Sequence, residues 1–265
     1  MKQKQRITVP QFIGFKTARH KISMLTAYDF AMAQMLDEAG VDAILVGDSL
    51  AMVVQGHETT LPVTLEEIIY HAEMVGRAAS RALVIVDLPF PINHLAERET
   101  IDAAGRILKQ TRVQAVKLEG GTHQAPIIAA LVTAGIPVMA HVGLRPQNVH
   151  VMGGYRVQRD QEQLLHDSLA AEKAGAFSIV LECIPAGIAK QITQQLAIPT
   201  IGIGAGAHCD GQVLVTNDLV GLTTGYVPSF VKQYANLREQ ISTALQNWQR
   251  DVRDGSFPDE AHSFK

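Results

Sequence analysis

The strongest constraint on this chain is an ending that keeps recurring. Ile44-Leu45-Val46 is apolar and stops at Gly47-Asp48-Ser49. Leu83-Val84-Ile85-Val86 stops at Asp87, and Ala115-Val116-Lys117-Leu118 stops at Glu119-Gly120-Gly121. Pro137-Val138-Met139-Ala140 stops at His141, and Ser178-Ile179-Val180-Leu181 stops at Glu182. Short apolar runs bounded by turn signals read as buried strands. Each ends in a group able to bind metal or move protons. An Ala-Gly pair precedes three of the runs, at positions 39–40, 134–135 and 174–175. Glycine there is the usual left-handed cap of a helix. Strand and helix therefore alternate, which predicts a parallel sheet. Parallel strands bring their C-terminal ends to one face, where the active sites of (β/α)8 TIM barrels lie.

The remaining elements complete that count. Lys21 to Thr26 reads as strand one, followed by a helix opening near Asp29 with Phe30, Ala33, Met35 and Leu36 as its apolar positions. Thr64 and Glu67 form a capping box for a helix to about Ala79. Further helices are predicted from Glu97 to Thr111, from Gln161 to Ala174, and from Pro185 onward. Thr200–Ile203 reads as strand seven, and the eighth is expected near Leu219 to Leu222. Residues 49–62 and 142–160 read as loops. Leu237, Ile241, Leu245, Trp248 and Val252 have helical spacing in the tail. The expectation is one α/β domain over residues 1–265: a TIM barrel with an N-terminal arm or capping helix at residues 1–20 and a C-terminal helical tail. An open doubly wound sheet would carry a glycine-rich turn after strand one, where this chain has Ala27-Tyr28-Asp29.

Composition narrows the function classes. A length of 265 residues and 47% apolar content suit one large globular domain, and a net charge of -3 argues against a basic nucleic-acid footprint. No apolar run is long enough to span a bilayer, and no signal core follows the charged start. Two cysteines, Cys183 and Cys209, make no disulfide framework and suit a reducing cytosol. A cytoplasmic protein is expected.

Asp48, Asp87 and Glu119 close three successive strands. Oxygen-only ligation is what Mg²⁺ or Mn²⁺ prefers, with one or two acids binding directly and the others through water; helix capping or surface solvation of each acid is the alternative. Lys117 lies two residues before Glu119, so both point to the same side of a strand. It either holds an anionic substrate group or forms a structural ion pair. Glu182 is a candidate general base or a cap for the next turn. His141 positions substrate, shuttles a proton, or is structural. Ile201-Gly202-Ile203-Gly204-Ala205-Gly206 looks like a phosphate cradle, yet it misses the dinucleotide spacing. Close backbone approach to a ligand, or packing at a barrel rim, explains it equally well.

Taken in order, the motifs resemble one family. Thr26-Ala27-Tyr28-Asp29, Leu45-Val46-Gly47-Asp48-Ser49, Gln55-Gly56-His57, Leu61-Pro62-Val63-Thr64, Asp87-Leu88-Pro89-Phe90 and Lys117-Leu118-Glu119-Gly120-Gly121 look like ketopantoate hydroxymethyltransferase. So do His141-Val142-Gly143-Leu144, Gly153-Gly154-Tyr155, Leu181-Glu182-Cys183, the Ile201–Gly206 stretch, Asp210-Gly211-Gln212 and His262-Ser263-Phe264. The resemblance implies a barrel of the phosphoenolpyruvate mutase and isocitrate lyase type. It implies transfer of a hydroxymethyl group from 5,10-methylenetetrahydrofolate to 3-methyl-2-oxobutanoate, giving 2-dehydropantoate for pantothenate. By motif matching, Asp48, Asp87 and Glu119 correspond to the family's Mg²⁺ site. Asp48, Ser49, Asp87 and Lys117 correspond to its oxoacid contacts, and Glu182 to its proton acceptor. A homo-oligomer, a decamer of two stacked pentamers, is implied as well. Pro91-Ile92-Asn93-His94, and the direct run from Gln158 into Arg159-Asp160-Gln161, depart from the family pattern.

The chemistry is coherent: a chelated 2-oxoacid loses its C3 proton, and the enolate attacks the one-carbon electrophile. The alternative is a Mg²⁺-dependent lyase of a 2-oxoacid or hydroxyacid on the same barrel. A non-catalytic binding barrel is a third option, and it predicts the loss of a metal carboxylate.

Overall fold

The structure, a computed structural model, describes residues 6–264, so the first five positions of the expected arm lie outside the described residues. The chain forms two compact units, residues 1–215 and 216–265. In the first unit, β1 (Ile22–Thr26), β2 (Ala43–Val46), β3 (Leu83–Asp87), β4 (Ala115–Glu119), β5 (Val138–Gly143), β6 (Ser178–Glu182), β7 (Thr200–Ile203) and β8 (Gly211–Leu214) close into a barrel in sequence order. Every pairing is parallel. The helices are α1 (Val9–Thr17), α2 (Phe30–Ala39), α3 (Leu50–Val53), α4 (Leu65–Ala78), α5 (Glu97–Gln110), α6 (Ala125–Thr133), α7 (Val149–Met152), α8 (Gln161–Lys173) and α9 (Ala186–Gln195). No helix among the described residues is long and apolar enough to cross a membrane.

Two apolar layers follow from the two faces of each strand. Ile44, Val46, Val84, Val86, Val116 and Leu118 pack outward against the helices. Ala43, Leu45, Leu83, Ile85, Ala115, Met139, Val180 and Ile201 fill the interior. α1 belongs to the interior layer. Its Phe12 is fully buried, with its ring edge-on to Phe177 at 5.8 Å between centroids. Thr8 and Gln11 form the capping box that starts this helix.

The period of two places the site. Inward positions on β3 are Leu83, Ile85 and then Asp87; on β4 they are Ala115, Lys117 and Glu119. Register sets Asp87 beside Lys117, Glu119 beside His141, and Gly143 beside Glu182. The interior thus changes from apolar to charged as it rises toward the C-terminal ends of the strands. The capping box of Thr64 and Glu67 forms as expected.

Several expectations need correction. The eighth strand is Gly211–Leu214, which pairs with β1 from Ile22↔Gly211 to Leu25↔Leu214. A Cβ at position 211 would meet Ile22 O at 2.6 Å, so the glycine is what lets β1 and β8 approach. Phe30 and Met35 are exposed, and only Ala33, Leu36 and Asp37 of α2 are buried. β5 extends to Gly143, so His141 lies within the strand. The segments at 49–62 and 142–160 contain the short helices α3 and α7. Gly202 packs against Cys209 and Gln212, and Gly206 against Ala186, so close packing accounts for these glycines.

The second unit holds α10 (Thr216–Leu219) and α11 (Leu237–Arg253). Tyr234 N–H donates to Leu219 O and Leu237 N–H to Val220 O. The stripe Ile241, Leu245, Trp248 and Val252 on α11 is exposed.

Candidate active site at the C-terminal rim

The charged inward residues meet in one continuous network. Asp48 N–H donates to Asp87 Oδ2 at 3.0 Å. Asp87 Oδ1 pairs with Lys117 Nζ at 2.8 Å. Lys117 Nζ lies 3.3 Å from His141 Nδ1. His141 Nε2 stands 3.2 Å from Glu182 Oε2, and its Nδ1 is 3.8 Å from Glu119 Oε1. All of these residues except Glu182 are buried, and Glu182 is partly open. Ser49 joins through its hydroxyl, 2.7 Å from that of buried Tyr28. A Cβ at Gly47 would meet Ser49 Oγ at 2.8 Å and Asp87 Oδ2 at 3.4 Å. Glycine there lets the strand end turn between them.

Electrostatics shows a site short of positive charge. Burial, then the charge of Asp87, raises Asp48 to about 7. Burial and the charge of Asp48 likewise raise Glu119 well above the carboxylate range. Burial alone would lower Lys117, but Asp87, Glu119 and Asp48 outweigh it and hold the ammonium charged. Burial and Lys117 lower His141, so its imidazole is neutral. Facing an ammonium, Nδ1 is then the acceptor, and Nε2 carries the proton toward Glu182. Cys183 is pushed up to about 12 by burial and Glu182, so its thiol stays protonated.

The surrounding loops fix this arrangement. Asn93, in the segment that departs from the family pattern, is buried and donates from Nδ2 to Glu119 O at 3.0 Å. Tyr155 lies near Met52, with its hydroxyl 3.7 Å from the sulfur. Burial and the charges of Asp48, Glu182 and Glu119 raise its phenol. Gln158 N–H donates to Cys183 O, tying the short segment before α8 to the end of β6.

Every residue proposed from sequence reaches this rim: Asp48, Ser49, Asp87, Lys117, Glu119, His141 and Glu182. Lys117 is in an ion pair and also faces the cluster, so its two readings describe one placement. The Glu182 carboxylate faces His141, and capping of the following turn finds no support in its contacts. Sequence reasoning missed Gln147, which is buried in the turn after β5 and hydrogen-bonded to two of the carboxylates. A single buried amide in a loop carries no periodic signal.

The donor set fits a hard divalent ion. It is all oxygen, carries surplus negative charge, and includes Glu119 Oε1, which is buried without a hydrogen-bond partner among the described residues. No three His, Cys, Asp or Glu among the described residues enclose a metal by themselves. One or two direct carboxylates, completed by substrate and water oxygens, suit Mg²⁺, which keeps much of its hydration.

Comparison with known proteins places these residues in context. The family model described as ketopantoate hydroxymethyltransferase matches residues 6–260. The 3-methyl-2-oxobutanoate hydroxymethyltransferase of Rhodopirellula baltica is 54% identical over 264 residues, covering 100% of this chain and 98% of that protein. Its counterpart in Desulforapulum autotrophicum is 53% identical over 260 residues, covering 98% and 99%. Among solved structures, a phosphoenolpyruvate phosphomutase from Streptomyces platensis subsp. rosaceus superposes with TM-score 0.64 at 16% identity, covering 94% of this chain and 88% of that one. A phosphonopyruvate hydrolase in complex with oxalate and Mg²⁺ gives 0.63 at 13% identity, covering 97% and 93%. At those identities the likeness is one of fold.

Proposed function

The chain belongs to the ketopantoate hydroxymethyltransferase family, and on that premise we propose how the rim of its barrel carries the reaction. The enzyme transfers a hydroxymethyl group to 3-methyl-2-oxobutanoate in pantothenate biosynthesis. The one-carbon donor is 5,10-methylenetetrahydrofolate and the metal is Mg²⁺, with Asp48, Asp87 and Glu119 as its carboxylates. When bound, the cation supplies Lewis-acid polarisation of the oxoacid's keto oxygen.

The chain's own groups do the rest. Lys117 offsets the charge of the oxoacid. Asp48, Ser49, Asp87 and His141 line its seat, with the Ser49 hydroxyl steadied by Tyr28. Glu182 takes the C3 proton, and the neutral His141 holds its carboxylate in place. Water takes the folate's methylene carbon to the formaldehyde level, breaking both of its C–N bonds and leaving tetrahydrofolate. The carbanionic C3 attacks that carbon, its C=O π bond opens, and the oxygen takes up a proton to become the hydroxymethyl group. The observation that carries this reading is the unbroken chain of contacts from Asp48 through Asp87, Lys117 and His141 to Glu182.

The direct test is product formation from 3-methyl-2-oxobutanoate and 5,10-methylenetetrahydrofolate. The expected result is 2-dehydropantoate with Mg²⁺ and a large loss in chelator. Folate-independent cleavage of a 2-oxoacid or hydroxyacid, with no product from the folate mixture, would replace transferase by lyase. Asp87→Asn and Glu119→Gln preserve size and remove charge. Both should weaken Mg²⁺ binding in calorimetry by at least about tenfold, because loss of an outer partner alone costs that much. Unchanged affinity in both variants rejects the carboxylate assignment.

The assembly is proposed as a homo-oligomer, a decamer on family resemblance. The exposed apolar stripe on α11 supports self-association. Sedimentation should return ten times the 28.7 kDa chain mass, and a monomer at micromolar concentration contradicts it. We place the reaction in the cytoplasm, supported by the two free thiols Cys183 and Cys209. Recovery of the enzyme with membranes on fractionation would oppose that placement.

A further inference from the structure

Gln147 sits in the turn Pro146–Asn148 that follows β5, and it is 5% exposed. Its side-chain Nε2 donates to Asp48 Oδ2 at 2.8 Å and to Leu88 O at 2.9 Å. Its main-chain N–H donates to Glu119 Oε2 at 3.0 Å. One residue thus ties together the chain after β2, the chain after β3 and the end of β4. Both protons of the amide nitrogen are used. The bonds to Asp48 and Glu119 each occupy one oxygen of a carboxylate and fix how that carboxylate is turned. On Glu119, the oxygen not held by Gln147 is the buried Oε1 that lacks a partner among the described residues.

We infer that Gln147 is the positioning residue of the cation site. It turns Asp48 and Glu119 so that each keeps one oxygen for a divalent ion, and it anchors both to the segment following Asp87. The inference rests on the assignment of Mg²⁺ to these carboxylates. Its physical basis is rotational entropy. Two carboxylates left untethered sample several rotamers, and closing them on a cation then costs ordering energy. Neutral donors on one residue, the side-chain amide on Asp48 and the main-chain N–H on Glu119, remove that cost before the ion arrives. Its own acceptor, Oε1, is buried without a partner among the described residues, so it adds a further oxygen to the same acceptor-rich rim.

The test is calorimetric titration of Mg²⁺ into the full-length protein with 3-methyl-2-oxobutanoate present, for the parent, Gln147→Leu and Gln124→Leu. Gln124 is an equally buried rim amide whose Nε2 faces His94 Nδ1 at 3.1 Å, and among the described residues its side chain bonds no carboxylate. Gln147→Leu removes the side-chain donor to Asp48 and Leu88 O at similar volume, leaves the main-chain bond to Glu119, and should weaken Mg²⁺ affinity by roughly 10–100-fold, the usual cost of losing an outer partner of a metal ligand. Gln124→Leu should lower thermal stability and leave the affinity unchanged. Parental Mg²⁺ affinity in a folded Gln147→Leu protein overturns the inference. Equal weakening in both variants also overturns it, because the effect would then be general disturbance of the rim. A parent that binds no Mg²⁺ removes the metal assignment itself, and that outcome is read before either variant. If Gln147→Leu fails to fold, Gln147→Met, which also lacks the donor but is flexible, takes its place with the same expected loss.

Discussion

Replacing Glu182 with glutamine will lower the exchange of the C3 hydrogen of 3-methyl-2-oxobutanoate by a factor of roughly 10²–10⁴, the usual worth of a positioned acid–base group. Proton removal needs no folate, so the exchange is followed in D₂O with Mg²⁺ and oxoacid alone, as loss of the C3–H signal by NMR. Glutamine keeps the shape and its amide oxygen can still face His141 Nε2, so oxoacid binding should survive. The geometry favours a base over a cap. Glu182 ends β6 on the inward face, and its Oε2 lies 3.2 Å from His141 Nε2. Among the carboxylates of the network it is the only one not fully withdrawn from solvent. A proton acceptor that must meet substrate needs that opening, whereas ligands that hold an ion do not. If a folded, substrate-binding Glu182→Gln protein exchanges at the parental rate, the base lies elsewhere. His141 is then next in line, because it adjoins both Glu182 and Lys117.

The second large effect concerns Lys117. Lys117→Met keeps the length of the stem and deletes the only buried cation facing Asp48, Asp87 and Glu119 among the described residues. Breaking a buried ion pair by removing one partner typically costs about 3–5 kcal/mol. A loss of that size is expected in denaturant unfolding of the metal-free protein at pH 8. The pH dependence has a definite sign. Asp48 titrates near 7 when folded, above its ordinary value of 3.8, so the folded state holds a proton that the unfolded chain has released. That stabilisation is complete below about pH 3.8 and is lost as pH rises through 7. Lys117 lowers the folded value, so its removal pushes Asp48 and Glu119 still higher. The deficit of the variant should therefore shrink from pH 8 to pH 5, as protons replace the missing cation. Equal deficits at the two pH values would show that lost packing, not unopposed charge, explains the change.

The same groups explain why so much of this protein is legible in its sequence. Strand periodicity is two, so Lys117 and Glu119 share a face, and so do Ile85 and Asp87. Apolar runs that end in Asp48, Asp87, Glu119, His141 and Glu182 leave little choice. If the strands are parallel, those groups rise on one rim. The helix ends are equally local. Gly40 takes the left-handed conformation at the end of α2, and Thr64 and Glu67 cap α4. These features depend on residues within a few positions of one another, so composition and spacing record them.

What tertiary structure alone decided depends on long-range contact. β8 is a four-residue strand, Gly211–Leu214, with Gln212 exposed and Leu214 half-buried, and it becomes visible only through its pairing with β1. Its glycine is where β1 comes so close that a Cβ would meet Ile22 O at 2.6 Å. The apolar stretch from Leu219 to Leu222 seemed the better strand, yet Leu219 ends α10. Asn93, in the segment after β3, reaches Glu119 at the end of β4, and the tautomer of His141 is set by Lys117 and Glu182 on neighbouring strands. Gln147 is the extreme case, bonded to Asp48 at a separation of 99 residues. Periodicity tells which face a side chain takes on its own strand. Which partner completes its hydrogen bonds is set by barrel closure and loop path, because a buried donor bonds to whatever acceptor folding brings within about 3 Å.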